Sequence, residues 1–173
     1  MFHGSLVPCA ERRIIKMKNE KNVIAVINGP NINILGNRES DIYGIETWDN
    51  IEKKLRTVAE ELNVEIVFFQ SNYEGKIVDY LQQKLNTIDG IVLNPAAFTK
   101  TGYAILDAIS AKNIPFVEVH LSNIFSRGGW HAETIFAEKA IGHINGFKGI
   151  VYHMGLWAIC DYIKMNETKC EKN

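Results

Sequence analysis

Val23-Ile24-Ala25-Val26-Ile27-Asn28-Gly29-Pro30-Asn31-Ile32-Asn33-Ile34-Leu35-Gly36 begins as an unbroken apolar run and ends in a loop dense in asparagine, glycine and proline. A half-exposed strand would alternate apolar with polar residues. An uninterrupted run rich in β-branched residues instead reads as a strand covered on both faces, the pattern of parallel sheets. The loop keeps Ile32, Ile34 and Leu35 among its polar groups. Those three are expected to pack, which makes the loop an ordered one. An ordered polar loop at the carboxyl end of a buried strand is where open α/β sheets place their chemistry.

The pattern recurs outward from that point. Trp48, Ile51, Leu55, Val58 and Leu62 repeat at three and four, one helical face with Thr47 as its N-cap. Val64 to Phe69 reads as a second strand. Ile77, Leu81, Leu85 and Ile88 mark a helix over Gly75 to Ile88, and Gly90 to Leu93 a third strand. A helix over Thr101 to Lys112 precedes a fourth strand, Pro115 to His120. A short helix over Thr134 to Ile141, a weaker fifth strand near His143 to Phe147, and an apolar helix over Gly149 to Lys164 follow. Strand-helix alternation with short connections predicts an α/β domain, a parallel sheet with helices on both faces. We place that single domain at residues 22–165. Residues 1–21 read as a disordered extension or a cloning-derived tail, with Met17 a candidate natural start, and 166–173 as a polar tail that frays.

The chain has 173 residues, 46% of them hydrophobic and 23% charged, enough for one domain with a real core. Its net charge of −1 carries no nucleic-acid or membrane-surface footprint. No apolar run reaches membrane-spanning length. Cys9, Cys160 and Cys170 have neither metal spacing nor an even count, and read as reduced thiols of a cytoplasmic protein.

Each strand ends in polar residues: Asn28 and Asn31 after the first, Gln70-Ser71-Asn72-Tyr73-Glu74 after the second, Asn94 after the third, and Glu118-Val119-His120-Leu121-Ser122-Asn123 after the fourth. In a parallel sheet these ends share one edge. Asn31, Arg38, Tyr43, Asn94, His120 and Ser122 are therefore expected around one crevice that takes a small molecule. Neither a GxGxxG nor a P-loop lysine pattern is present, no His/Cys/Asp cluster has metal spacing, and no serine sits in a Gly-x-Ser-x-Gly elbow. Proton chemistry remains. From the residues alone each candidate also has an ordinary structural reading. Tyr43 is then a turn tyrosine, Arg38 a solvated charge, His120 a strand-end histidine with Glu118 as its partner, and the asparagines turn caps.

Four ordered blocks change that balance. Asn28 to Gly36 with Arg38-Glu39 and Tyr43-Gly44, Gln70-Ser71-Asn72 with Glu74-Gly75, Asn94-Pro95-Ala96-Ala97, and Glu118 to Asn123 resemble the signature of type II 3-dehydroquinate dehydratases. The resemblance spans roughly residues 22 to 163. It implies a flavodoxin-like three-layer sandwich with a five-stranded parallel sheet, and a homo-oligomer of trimers assembled into a dodecamer. It implies loss of water from 3-dehydroquinate through an enolate, with no cofactor and no metal. In that reading Tyr43 is the base and Arg38 keeps it ionised. Asn31 holds a water against the enolate, and His120, oriented by Glu118, protonates the departing hydroxyl. Asn94 and the Leu121-Ser122 segment hold that hydroxyl and the substrate carboxylate. Asp107 matches an acid that reaches a neighbouring subunit's site.

Physical chemistry sets a condition on that scheme. A free tyrosine titrates near about 10, and lowering it by two or three units takes roughly 3 to 4 kcal/mol of preference for tyrosinate. An exposed ion pair supplies at most about 1 kcal/mol. Arg38 can act so only in a closed, water-poor site, which predicts that the loop closes over substrate.

The chain also departs from the family pattern. Lys100 stands where a histidine usually contacts a ring hydroxyl, and His131 where an arginine does. Phe125 and Tyr73 replace usual histidines, and Gly128-Gly129-Trp130 replaces a charged run after Arg127. Two alternatives therefore accompany the dehydratase: a lyase acting on a related cyclic polyhydroxy keto acid, and a non-catalytic binding or assembly protein.

Overall fold

Val23–Asn28 forms strand β1, the centre from which the sheet is built, and every residue after Val23 in it is buried. A computed structural model of the chain describes residues 20–37, 40–84, 86–126 and 129–171, leaving out the side chains at positions 40, 43, 130, 131 and 169–171. The expectation for an extension over residues 1–21 lies outside the described residues as far as residue 19. β2 (Glu65–Gln70), β3 (Gly90–Asn94), β4 (Phe116–His120) and β5 (Gly142–Asn145) complete one sheet in the order β2-β1-β3-β4-β5. All neighbouring pairs are parallel. This is the expected flavodoxin-like five-stranded sheet, and all strand carboxyl ends lie on one edge.

The helices are α1 (Ser40–Tyr43, a single turn), α2 (Trp48–Glu61), α3 (Glu74–Lys84), α4 (Tyr103–Ser110) and α5 (Ile150–Glu171). Period-two alternation divides each strand between two cores. Ile24, Val26, Val92, Val117 and Val119 pack with Ile51 and Leu55 of α2 and with Tyr152, Leu156 and Ile159 of α5. Ala25, Ile27, Ile91, Leu93 and Phe116 pack on the other side with Ile77 and Leu81 of α3 and Ile105 and Ile109 of α4. Thr47 caps α2 as expected, its side chain accepting from the Asn50 N–H. No helix among the described residues is long and apolar enough to cross a membrane.

The main difference from the sequence expectation is Thr134 to Ile141, which forms turns rather than a helix. Tertiary contacts override local propensity there. Phe136 is fully buried, edge-on to Phe116, and the Ile141 N–H is taken by the Phe116 carbonyl at 2.9 Å. β5 ends at Asn145 instead of reaching Phe147 because Gly146 turns away with φ +98° and donates its N–H to His120 O at 3.1 Å. The helix over Gly75 to Ile88 stops at Lys84, and that over Thr101 to Lys112 is shorter at both ends. α5 continues past Lys164, so the polar stretch after residue 165 is helical to Glu171, with Glu167 accepting from Asn22 at 3.3 Å. In the opening loop Ile32 and Leu35 are buried as expected, but Ile34 is 43% exposed.

Gly29 draws the sheet edge together. A Cβ at this position would overlap the Pro95 carbonyl, and the Gly29 N–H donates to Asn94 O at 2.8 Å. The loops after β1 and β3 can therefore touch only with glycine here.

Candidate active site

Phe116, Glu118 and His120 follow one another at every second position of β4, so all three project to the same face of the sheet. Glu118 is fully buried and His120 is 6% exposed. His120 Nε2 donates to Glu118 Oε1 at 2.8 Å, and the Thr134 hydroxyl donates to the same oxygen at 2.7 Å. A buried carboxylate needs such partners, because an isolated charge in the interior is very costly. The second oxygen, Oε2, has no hydrogen-bond partner. It faces His143, the β5 residue in register with Glu118, whose Nε2 lies 3.9 Å away and is likewise unpartnered. His143 also meets the His120 ring edge-on, with centroids 5.3 Å apart. Burial lowers the His143 pKa; the Glu118 charge opposes that shift and His120 adds to it.

One strand pair away, Asn28 and Asn94 are in register across β1 and β3. The buried Tyr152 hydroxyl links them, accepting from Asn94 Nδ2 at 2.7 Å and donating to Asn28 Oδ1 at 2.8 Å. Asn94 Oδ1 also accepts from the Ala96 N–H at 3.2 Å. Burial raises the Tyr152 pKa far above its usual value, so this phenol is a structural hydrogen-bonding group and not a base. Asn31 adopts a left-handed conformation, φ 67°, and its N–H is held by Asn72 Oδ1 at 3.0 Å. Gln70 steadies the same turn through Gly29 O and Asn72 Oδ1. The Asn31 side chain is exposed and makes no capping bond.

Leu121 and Ser122 are buried directly after His120, and the turn between β5 and α5 holds them through Lys148 N–H to Leu121 O at 2.9 Å. Lys100 closes the short 3-10 turn after Asn94, and its ammonium pairs with Glu133 at 2.6 Å. Asp107 is exposed on α4. The His131 backbone lies in a 3-10 turn, Gly129–Ala132, while its side chain is outside the description, as is that of Tyr43. Arg38 lies outside the described residues altogether.

Four contributors escaped the sequence reading: Thr134, His143, Tyr152 and Lys148. None lies in a matched block. Their roles come from tertiary approach, which spacing along the chain does not encode. Among the described residues, Glu118, His120 and His143 are the group whose donor atoms converge, all within 4.8 Å of one another. Glu118 Oε1 in that trio is already committed to two hydrogen bonds. A depression lined by Phe69, Lys76, Asp79, Tyr80 and Gln83 sits beside the edge strand β2, with β1 and β3 between it and β4. The polar strand ends therefore remain the candidate site.

The chain as a whole has relatives among known proteins. The chain matches the family described as Dehydroquinase class II over residues 22–160. It is 51% identical over 146 residues to a 3-dehydroquinate dehydratase of Aliarcobacter butzleri, covering 84% of this chain and 88% of that protein. It is 47% identical over 143 residues to one of Prochlorococcus marinus subsp. pastoris, covering 83% of this chain and 98% of that one. The crystal structure of type II dehydroquinase from Butyrivibrio crossotus superposes with a TM-score of 0.77 at 37% identity, over 80% of this chain and 97% of that chain. Sequence and fold agree across nearly the whole described domain, and the chain belongs to the class II dehydroquinase family.

Proposed function

We propose that this protein removes water from 3-dehydroquinate to give 3-dehydroshikimate, a step of the shikimate pathway, with no cofactor. The observation that carries the reading is the buried Glu118–His120 pair at the carboxyl edge of the sheet, in a chain whose family match runs from residue 22 to 160. An ordinary strand-end histidine has no need of a fully buried carboxylate and a threonine to fix it.

In the proposed reaction Tyr43, as tyrosinate, takes a proton from the carbon beside the ketone. Arg38 favours the ionised phenol. The electrons left behind form an enolate, and a water held by Asn31 stabilises its oxygen. The enolate then expels the β-hydroxyl, which leaves as water after taking a proton from His120. The Nε2–H of His120 is directed at a carboxylate, which only accepts, so Nδ1 is the nitrogen that serves substrate. Glu118 and Thr134 hold the ring for that transfer. Asn94 gives one amide hydrogen to Tyr152 and keeps the second for the leaving hydroxyl. Leu121 and Ser122 receive the substrate carboxylate. Asp107, exposed on α4, reaches the site of a neighbouring subunit in a dodecamer of trimers.

The Lys100–Glu133 pair supports a second, narrower reading. An ammonium already paired at 2.6 Å offers a different contact from a neutral imidazole, which favours a related cyclic polyhydroxy keto acid. Ring contacts from Lys100 and His131 would then define the substrate.

A direct assay separates these readings. Incubation with 3-dehydroquinate should give a conjugated, ultraviolet-absorbing product, lost in Tyr43→Phe and Arg38→Ala. Tight binding of substrate without turnover would identify a non-catalytic homologue. A much higher kcat/KM on another cyclic hydroxy-ketone would identify the related lyase.

A further inference from the structure

We propose that Lys148 is a positioning residue that fixes the backbone segment carrying Tyr43 relative to the strand carrying His120. The inference rests on the roles proposed above for those two residues. Lys148 lies in the turn between β5 and α5. Its ammonium donates to the carbonyls of Asp41 at 2.6 Å and Ile42 at 2.5 Å, across more than a hundred residues of sequence. Its own N–H donates to Leu121 O, next to His120, and two residues earlier Gly146 N–H donates to His120 O itself. One short turn therefore bonds to two separate segments: the single helical turn ending at Tyr43, and the end of β4.

α1 has four residues, Asp41 is exposed and Ile42 is half-buried. The last carbonyls of a helical turn lack intrahelical partners and carry its negative pole, so a cation there satisfies both needs. The next residue but one, Gly44, at φ +86°, packs along the same side chain; a Cβ on it would lie 3.6–3.7 Å from the Lys148 methylenes.

Lys148 also stands in the left-handed region, at φ 53°. Glycine is the residue that adopts this conformation without strain, and a long side chain there is uncommon. Local backbone preference thus argues against lysine, while the two carbonyl contacts require it. Strain held at a residue bridging two proposed catalytic elements points to function.

The test compares Lys148→Gly, Lys148→Met and Lys148→Arg by thermal melting, by rapid-quench hydrogen exchange of residues 40–44, and by kinetics on 3-dehydroquinate. Lys148→Gly relieves the strained backbone, so its melting temperature should equal or exceed that of wild type. Yet the 40–44 amides should exchange about tenfold faster, the scale expected for losing a charge-assisted hydrogen bond. kcat should fall by about tenfold or more with KM little changed, because the misplaced group acts in the chemical step. Lys148→Met should show the same loosening, and Lys148→Arg should recover part of both readouts. Unchanged exchange in both Gly and Met variants would overturn the proposal, as would faster exchange with undiminished kcat. Wild-type inactivity on 3-dehydroquinate would instead overturn the dehydratase reading, and the exchange comparison, made on free protein, would still decide whether Lys148 holds the segment.

Discussion

Glu118 and His143 are cross-strand neighbours whose facing atoms, Oε2 and Nε2, stand 3.9 Å apart and have no other partner. The carboxylate thus lies between two imidazoles, with His120 bonded to its other oxygen. Burial lowers the His143 pKa below its usual 6.5. A histidine depressed in the folded state contributes stability that is fully present above the unfolded value. That contribution is lost as pH falls through about 6.5 toward the lower folded value. Urea unfolding of wild type between pH 8 and pH 5 should therefore show a loss that His143→Asn partly removes. All other ionisable groups are common to both proteins, so the informative quantity is the difference between them. Parallel pH curves would mean that His143 is not protonated on unfolding.

Removing the charge at Glu118 tests its orienting role. Glu118→Gln keeps the size of the side chain and an acceptor oxygen for His120 and Thr134, so folding should survive. The amide still supports the ring less well than a carboxylate, and kcat on 3-dehydroquinate should fall by about 10- to 100-fold, the range seen when a partner that orients a functional imidazole is lost. His120→Ala removes the proposed proton donor and should cost about 10²- to 10⁴-fold. A Glu118→Gln enzyme with wild-type kcat would leave the carboxylate a purely structural role.

Much of this pair was legible beforehand. Glu118 and His120 are two apart in a strand, so a period of two places them side by side on one face, and the apolar runs placed that strand in a parallel sheet. Continuous burial of β1 followed directly from the lack of polar residues in Val23 to Ile27. Thr134 was not legible. Its sequence context, a threonine before Ile135 and Phe136, also reads as a helix start, and only the approach of a buried carboxylate decides otherwise. His143 and Tyr152 were invisible for the same reason: register across β4 and β5, and the docking of α5 on β1 and β3, are tertiary facts. Asn94 was legible as a polar end of the third strand, but its bond to a buried tyrosine was not.

Thr134 offers a quantitative check on that correction. Its hydroxyl donates to Glu118 at 2.7 Å and accepts from the Phe136 N–H at 3.0 Å, shaping the turn that replaces the expected helix. Thr134→Val is nearly isosteric and deletes both bonds. Chemical unfolding should show a loss of about 1–3 kcal/mol, the range for hydrogen bonds to a charged group. kcat should drop several-fold because Glu118 keeps only His120 on that oxygen. A stability change within about 0.5 kcal/mol would place Thr134 among ordinary surface positions.

Tyr152→Phe separates packing from hydrogen bonding beneath the ends of β1 and β3. The ring is fully buried and edge-on to Trp48 at 5.3 Å, so phenylalanine should keep the apolar contacts. What disappears is the hydroxyl joining Asn94 Nδ2 to Asn28 Oδ1. Asn28 already has an unpartnered Nδ2, so the variant leaves its buried amide with no side-chain partner at either end. A buried polar group stripped of its partner costs about 1–3 kcal/mol, and here two groups lose theirs. The expected destabilisation is about 2–6 kcal/mol. If Asn94 meets substrate as proposed, its amide, no longer held, should be presented less precisely, which raises KM for 3-dehydroquinate. Stability equal to wild type would mean that water replaces the hydroxyl at no net cost, and a KM that stays constant while stability falls would remove Asn94 from the substrate contacts.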